Sequence, residues 1–216
     1  MDPTTHPEKT PKFRRRAEAR PDEVLDAALA LFGAQGFART TVEQVARRAG
    51  LSKAAVYLYF PSKQALLAGL VRRAVAPVAE LALEQIADFR GDPRPLMAQV
   101  FAMIAQRLSD PAAFAVPSLI LREAVAAPEM AEVYRAEVLD RVLPAVRGLI
   151  GQAVAGGHIR PVDPDLTIRS LMGPVLAHVL LAQVFGIEPE GGLQLARLME
   201  NHMTILFAGL APEGAE

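Results

Sequence analysis

TTVEQVARRAGLSKAAVYLYFPSK, residues 40–63, is the stretch that decides the fold. Thr40-Thr41 is a helix N-cap signal, and the apolar residues that follow it recur at helical spacing. Gly50 can adopt the positive φ of a tight turn, and Ser52 can cap a second short helix. Two short helices joined by a glycine turn predict a helix-turn-helix.

The second helix of this motif is the one that would enter a DNA major groove. We expect its buried face to carry Val56 and Phe60, which lie four residues apart. The opposite face would display one cation, one methyl group and two phenol rings, from Lys53, Ala55, Tyr57 and Tyr59. These groups suit contacts to bases and phosphates. The alternative is a packed helical hairpin without nucleic acid, but a helix this short does not need two tyrosines for its own packing.

The start of the next helix carries a cation in an unusual place. Pro61-Ser62 ends one helix and caps another, so Lys63 falls in the first turn of the new helix. A positive charge there opposes the helix dipole. We therefore expect Lys63 to contact an external anion.

Residues 23–70 resemble the DNA-binding domain of the tetracycline-repressor (TetR) family of bacterial regulators. The shared pattern comprises VLDAALALFGAQGF (24–37), Arg39-Thr40-Thr41, AGLS (49–52), Tyr57, Tyr59-Phe60 and Ser62-Lys63. Ala54 departs from it, since many members have glycine there; alanine favours the helix but can hold the backbone further from a phosphate. The resemblance implies DNA contact by Thr41, Ser52, Lys53, Ala55, Tyr57, Tyr59 and Lys63.

Charge is distributed unevenly along the 216 residues, although the net charge is only −1. Residues 1–63 hold eleven Lys and Arg against seven Asp and Glu, whereas residues 64–216 hold twelve against seventeen. The positive field therefore coincides with the motif. Cysteine is absent, which excludes a disulfide framework, a zinc ribbon and a thiol nucleophile, and fits a cytoplasmic location.

The N-terminal segment is predicted to be a basic flexible arm over residues 1–20. It has three prolines near its start and no apolar run, so it does not resemble a signal peptide. Its cations, Lys12 and Arg14 to Arg16, could follow the phosphate backbone or the minor groove. A solvated basic tail explains them equally well.

The whole chain is predicted to be all-α, with about nine helices and no strand. Residues 21–61 would form the DNA-binding domain and residues 62–216 a helical effector-binding and dimerisation domain. In the latter, helices are expected from Ser62 to Pro77, onward to Phe89, and over 94–109, 112–126, 128–155, 165–186 and 191–209.

The predicted helix at 165–186 has no charged residue between Arg169 and Glu188. That length reaches the lower limit for a membrane span, but its proline, histidine and glutamine argue against one. A helix apolar on every side must be buried on every side, against its own subunit and a second copy. The resemblance implies a homodimer through the helices near 165–186 and 191–209, and we expect Val179 and Ile205 to point outward there.

A small, largely apolar effector is expected in the helical domain. Pro117 and Gly173-Pro174 interrupt regular helix packing, which can leave space for a ligand. The candidate contacts are Phe101, Ile104, Phe114, Arg122, Met172, Val175 and His178. His178, alone on an apolar helix, is explained more simply as a hydrogen-bonded core or interface histidine.

No catalytic, cofactor or metal site is predicted. The sequence has no nucleophile elbow, no HExxH, no P-loop and no dinucleotide fingerprint, and its four histidines lack metal-ligand spacing. A small helical enzyme would need a convergent set of ionisable groups. The sequence thus predicts a cytoplasmic DNA-binding transcriptional regulator, a ligand-released repressor on a palindromic operator. The alternative is a TetR-fold architectural DNA-binding protein without an effector.

Overall fold

The computed structural model describes the backbone of residues 12–211 and the side chains of residues 20–211. Within that range all regular structure is helical, which confirms the all-α prediction. The chain divides into two compact units at Leu66–Leu67. We call the first unit the head and the second the body. The predicted domain boundary, at 61–62, lies just before the helix in which this division falls.

The head contains α1 (Lys12–Gln35), α2 (Val42–Arg48), α3 (Lys53–Tyr59) and the beginning of α4 (Lys63–Ala74). Its core is formed by fully buried side chains, among them Phe32 and Phe37, whose ring centroids lie 5.0 Å apart. The beginning of α1 lies inside the segment predicted as an arm. The remainder of that segment, residues 1–11, lies outside the described residues.

The body continues from α4 through seven further α-helices. They are α5 (Ala76–Ala87), α6 (Pro93–Leu108), α7 (Pro111–Glu123), α8 (Pro128–Tyr134), α9 (Asp140–Ala155), α10 (Pro164–Gln183) and α11 (Leu195–Leu210), with a π-helical turn at Arg135–Leu139 between α8 and α9. Two apolar clusters form its core. One joins α5, α6, α9, α10 and α11, and the other joins α9, α10 and α11 with the loop residue Ile159.

Three body helices begin at an Asp-Pro pair. The aspartates at 92, 110 and 163 accept the backbone N–H two residues later, over 3.0, 2.9 and 2.8 Å. Each proline occupies the first helical position, where its missing N–H costs no hydrogen bond. The predicted starts at 94, 112 and 165 were one residue late because these prolines were taken as breaks.

Other predicted helix bounds differ for local reasons. Residues 191–194 form a turn with positive φ at Gly191, Gly192 and Gln194, so α11 begins four residues later than predicted. The predicted helices to 126 and 186 end at Glu123 and Gln183. The predicted helix 128–155 is interrupted by the π turn, which adds one helix. The break expected at Pro77 lies two residues earlier, at Val75 between α4 and α5.

Candidate nucleic-acid interface

The turn between α2 and α3 is fixed by local hydrogen bonds. Thr41 caps α2: its Oγ1 accepts from the Gln44 N–H at 3.2 Å, and the Gln44 Oε1 accepts from the Thr41 N–H at 2.8 Å. This reciprocal pair is a capping box. Gly50 then takes a φ of +68°, and the Leu51 N–H donates to the Ala46 carbonyl at 2.9 Å. The Ser52 Oγ caps α3 by accepting from the Ala55 N–H.

The two short helices cross through a small apolar contact. Val45, Ala46 and Val56 are buried, and α2 packs directly on α1 and on α3. Because α3 has only seven residues, its position depends on this packing rather than on its own helical stability. The structure therefore confirms the predicted helix-turn-helix and the inward position of Val56.

Phe60 differs from the prediction. It is the C-cap residue of α3, with φ −135° and ψ 99°, and it is only half-buried. The helix ends at Tyr59, so the four-residue helical spacing from Val56 no longer applies at Phe60. Phe60 is therefore a boundary residue and not a second core anchor.

The outer face of α3 also differs in phase from the prediction. Tyr57 and Tyr59 are 42% and 37% exposed, whereas Leu58 between them is 83% exposed. Two residues along a helix turn the side chain by about 200°, so Leu58 lies opposite the buried Val56. Ala54, one turn earlier, is exposed as well, and Ala55 is half-buried. Helical phase counted from Val56 would have identified Leu58 from the sequence.

Lys53 is held by an acidic residue of α2. Its Nζ forms a solvent-exposed ion pair with the Glu43 carboxylate and lies 5.9 Å from the Tyr57 ring centroid. The hydrogen bond and charge of Lys53 lower the pKa of Glu43, and those of Glu43 raise the pKa of Lys53. Sequence reasoning missed Glu43 because its partner lies ten residues away on another helix.

Lys63 has an intramolecular role that the sequence reasoning did not foresee. Its Nζ donates to the carbonyls of Phe37 at 2.9 Å and Ala38 at 3.2 Å, and lies 4.3 Å from the Phe37 ring centroid. These contacts join the start of α4 to the turn after α1. They account for a cation at a helix N-terminus without an external anion, so the dipole argument no longer requires one. DNA contact by Lys63 stays a prediction.

The seven candidate effector contacts do not form one enclosed site. Phe101 and Ile104 pack against the cluster that contains Met97 and Leu171, while Met172 packs against the other core cluster. Of the seven, only Arg122 lines either of the two clefts described next. Six of the seven are half-buried and Arg122 is exposed, and effector contact by these residues stays a prediction.

Two open clefts are present in the described part of the body. A cleft of about 330 Å³ lies between the α5–α6 loop and the end of α9, and includes Phe89, Arg90 and His158. One of about 180 Å³ lies between α7 and α10 and is almost entirely apolar; it includes Leu121, Arg122 and Leu180.

Buried polar groups in the body are nearly all paired. His178 Nε2 is hydrogen-bonded to the Leu193 carbonyl, which agrees with the simpler explanation of that histidine. Ser118 on α7 donates to the Gln183 side chain on α10. Among the described residues, one buried side-chain polar atom has no partner: Gln85 Oε1 on α5.

In the single chain, only one face of α10 is covered, and burial of the other face by a second copy stays a prediction. One face, which includes Ile168, Leu171 and Val179, packs into the body, and Val179 is only 4% exposed. The prediction that Val179 points outward is therefore wrong, because helical phase cannot be read from an all-apolar helix. The other face is exposed and carries Leu176, Leu180, Leu181 and Val184; on α11, Ile205 is 65% exposed, as predicted.

By length and composition, α10 could cross a membrane, with a mean hydropathy of 1.3. A core helix of a soluble protein meets the same criterion. Its inward face packs against α9 and α11, and 28% of its apolar window is buried in the single chain.

Comparison with known proteins identifies the family. The family model "Bacterial regulatory proteins, tetR family" matches residues 24–70, and "Tetracyclin repressor-like, C-terminal domain" matches residues 87–185. The chain is 24% identical to the transcriptional regulator AcrR of Shigella flexneri, over 89% of this chain and 93% of the relative. It is 26% identical to RutR of Escherichia coli, over 94% and 96%.

Solved structures show the same architecture. A complex of SmeT with triclosan aligns with a TM-score of 0.76 at 28% identity, covering 91% of this chain and 93% of that one. SmeT is the repressor of a multidrug efflux pump of Stenotrophomonas maltophilia. The two family models together cover most of the chain, and the helix-turn-helix lies within the residues that the first one matches. The chain belongs to the tetR family of bacterial regulatory proteins and is a DNA-binding transcriptional regulator.

Proposed function

We propose that this chain is a ligand-released repressor that binds a palindromic operator as a homodimer in the cytoplasm. The observation that carries the proposal is the outer surface of α3, where tyrosines and a lysine are exposed on a helix whose other face is locked into the head. This surface can enter a major groove while the packing of the head stays unchanged. Arg47 and Arg48, exposed at the end of α2, add positive charge close by in the motif.

The homodimer is supported by the uncovered apolar face of α10 and by Ile205 on α11. Leu180 and Leu181 are exposed in a single chain, together with Leu176 on the same face. A second copy related by a two-fold axis would cover this surface, and a stable interface of this kind buries more than about 1,000 Å². Two half-sites one DNA turn apart also require a two-fold dimer.

Effector binding is supported by Gln85. Its unpaired Oε1 lies one helical turn after Ala82, a member of the core cluster against which Phe101 and Ile104 pack. A largely apolar ligand that carries one O–H or N–H group would supply the missing donor. Triclosan, the ligand of the SmeT complex, is an apolar phenol and has this chemistry. This observation favours an effector-responsive regulator over a purely architectural DNA-binding protein.

Release would follow if the effector binds best to a body conformation that misplaces the two heads. Because α4 contains the division between head and body, it is the element through which such a change would pass. To shift the bound population decisively, the effector must favour one state by several kcal/mol. No catalytic step is proposed, and no metal-binding cluster occurs among the described residues.

The test is selection of an operator from a random duplex library, followed by fluorescence anisotropy over a range of salt concentrations. A dimer that neutralises several phosphates on each half-site should give a log–log slope of roughly −4 to −8. Deleting residues 1–16 should flatten the slope if the basic arm touches phosphate. A library that yields no enriched sequence would contradict the proposal.

The effector hypothesis has a separate readout. Triclosan added to the protein–operator complex should lower the anisotropy, and Gln85→Leu should weaken that response while preserving operator affinity. Glu84→Leu, a substitution at the exposed neighbouring position, is the matched control. An unchanged response in Gln85→Leu would remove Gln85 from the effector site.

A further inference from the structure

The centre of the outer face of α3 is apolar. Leu58 has the largest exposed fraction of any large apolar side chain in the described part of the head, and Ala54 lies one helical turn before it. Lys53 and Tyr57 lie on one side of this line, and Tyr59 lies on the other. The residue furthest from the core therefore offers neither a hydrogen-bond donor nor an acceptor.

Isolated exposed leucines are common on protein surfaces and need no explanation by themselves. Leu58 differs from these by its position, because it lies on the side of α3 that faces away from the head's core, on the second helix of the helix-turn-helix. Nearly every feature of a base pair in the major groove is a hydrogen-bond donor or acceptor, which a leucine cannot satisfy. The exception is the C5 methyl group of thymine.

We infer that Leu58 is a specificity-determining residue that reads thymine methyl groups in each half-site. The inference rests on the proposed function and assigns the outermost side chain of α3 to direct readout. Burying a methyl group against a leucine is worth about 0.8 kcal/mol per carbon. That corresponds to a change in affinity of about fourfold per methyl contact.

The experiment is a double-mutant cycle between the protein and the DNA. In the operator selected with the parent protein, each thymine of one half-site is replaced in turn by deoxyuridine, which removes only the C5 methyl group. The parent should lose about threefold to tenfold in affinity at one or two of these positions. Leu58→Ala should bind the thymine operator more weakly and should be insensitive, within twofold, to the same replacements.

The controls distinguish a loss of thymine readout from a loss of stability, from the effect of removing any exposed leucine, and from failure of the repressor proposal. Leu81→Ala, at a body leucine that is 43% exposed, should retain the parent's sensitivity to deoxyuridine. Leu58→Ala should melt at the parent temperature, because an exposed side chain contributes little to packing. Equal deoxyuridine effects in the parent and Leu58→Ala, or a selected half-site without thymine, would overturn the inference and leave the repressor proposal intact. Failure to select any operator would overturn both the repressor proposal and the assignment of Leu58.

Discussion

The head and the body differ in how much apolar surface each leaves exposed in a single chain. In the head, the capping groups have partners within a few residues, and the side chains that remain exposed on α3 are those suited to DNA. In the body, two core clusters are closed, yet one face of α10 exposes several leucines. The head therefore has its core covered within a single chain, whereas the body leaves an apolar surface exposed, which we propose a second copy covers.

Phe32→Ala should have the largest effect on stability and should confine it to the head. Phe32 is fully buried against Phe37, so its truncation should cost about 3–5 kcal/mol. Circular dichroism should show partial loss of helix, operator binding should vanish, and sedimentation should still show a dimer. Phe60→Ala, at the half-buried C-cap, should cost clearly less. Loss of the dimer in Phe32→Ala would show that the two units are not independent.

Leu180→Glu should break the dimer and leave the head folded. A carboxylate on the exposed face of α10 would be buried unpaired against the partner copy, so the dimer should dissociate while each chain stays folded. Operator affinity should fall at least about 100-fold, because one head reaches one half-site. Leu81→Glu, at a leucine of equal exposure (43% against 44%), is the control and should remain dimeric. Val179→Glu is unsuitable, since Val179 is buried within its own subunit.

Within the head, Lys53→Ala and Tyr57→Ala should each weaken operator binding by about 1–3 kcal/mol without lowering the melting temperature. Glu43→Gln should act in the opposite direction by a smaller factor, since it frees the Lys53 ammonium from its ion pair. Anisotropy titrations at low salt would show this order. Parent-like affinity in both Lys53→Ala and Tyr57→Ala would mean that the recognition surface lies elsewhere.

The smallest expected effect is on the body at high pH. Burial raises the pKa of the Tyr134 hydroxyl, so the neutral form is favoured in the folded state. Its contribution is fully present below the unfolded pKa of about 10 and is lost as pH rises through the higher folded pKa. Tyr134→Phe should therefore lose less stability than the parent between about pH 10 and 12. Parallel melting curves for the two proteins would contradict this assignment.

Sequence reasoning succeeded where structure is local. The caps at Thr41 and Ser52 and the turn at Gly50 follow from residue types and short spacings, and so the helix-turn-helix was predictable. It failed where partners are distant or the pattern is uniform. The carbonyls that hold Lys63 lie about 25 residues earlier in the chain, and the inward position of Val179 depends on which face of an all-apolar helix meets the core.

The central claim is tested most directly by the spacing of the operator. Affinity would be measured for the selected palindrome and for the same palindrome with five base pairs inserted between its half-sites. Half a turn of DNA places the second half-site on the opposite face, so a two-fold dimer with one α3 in each major groove should lose at least about tenfold in affinity. Equal affinity for the two duplexes would contradict the account.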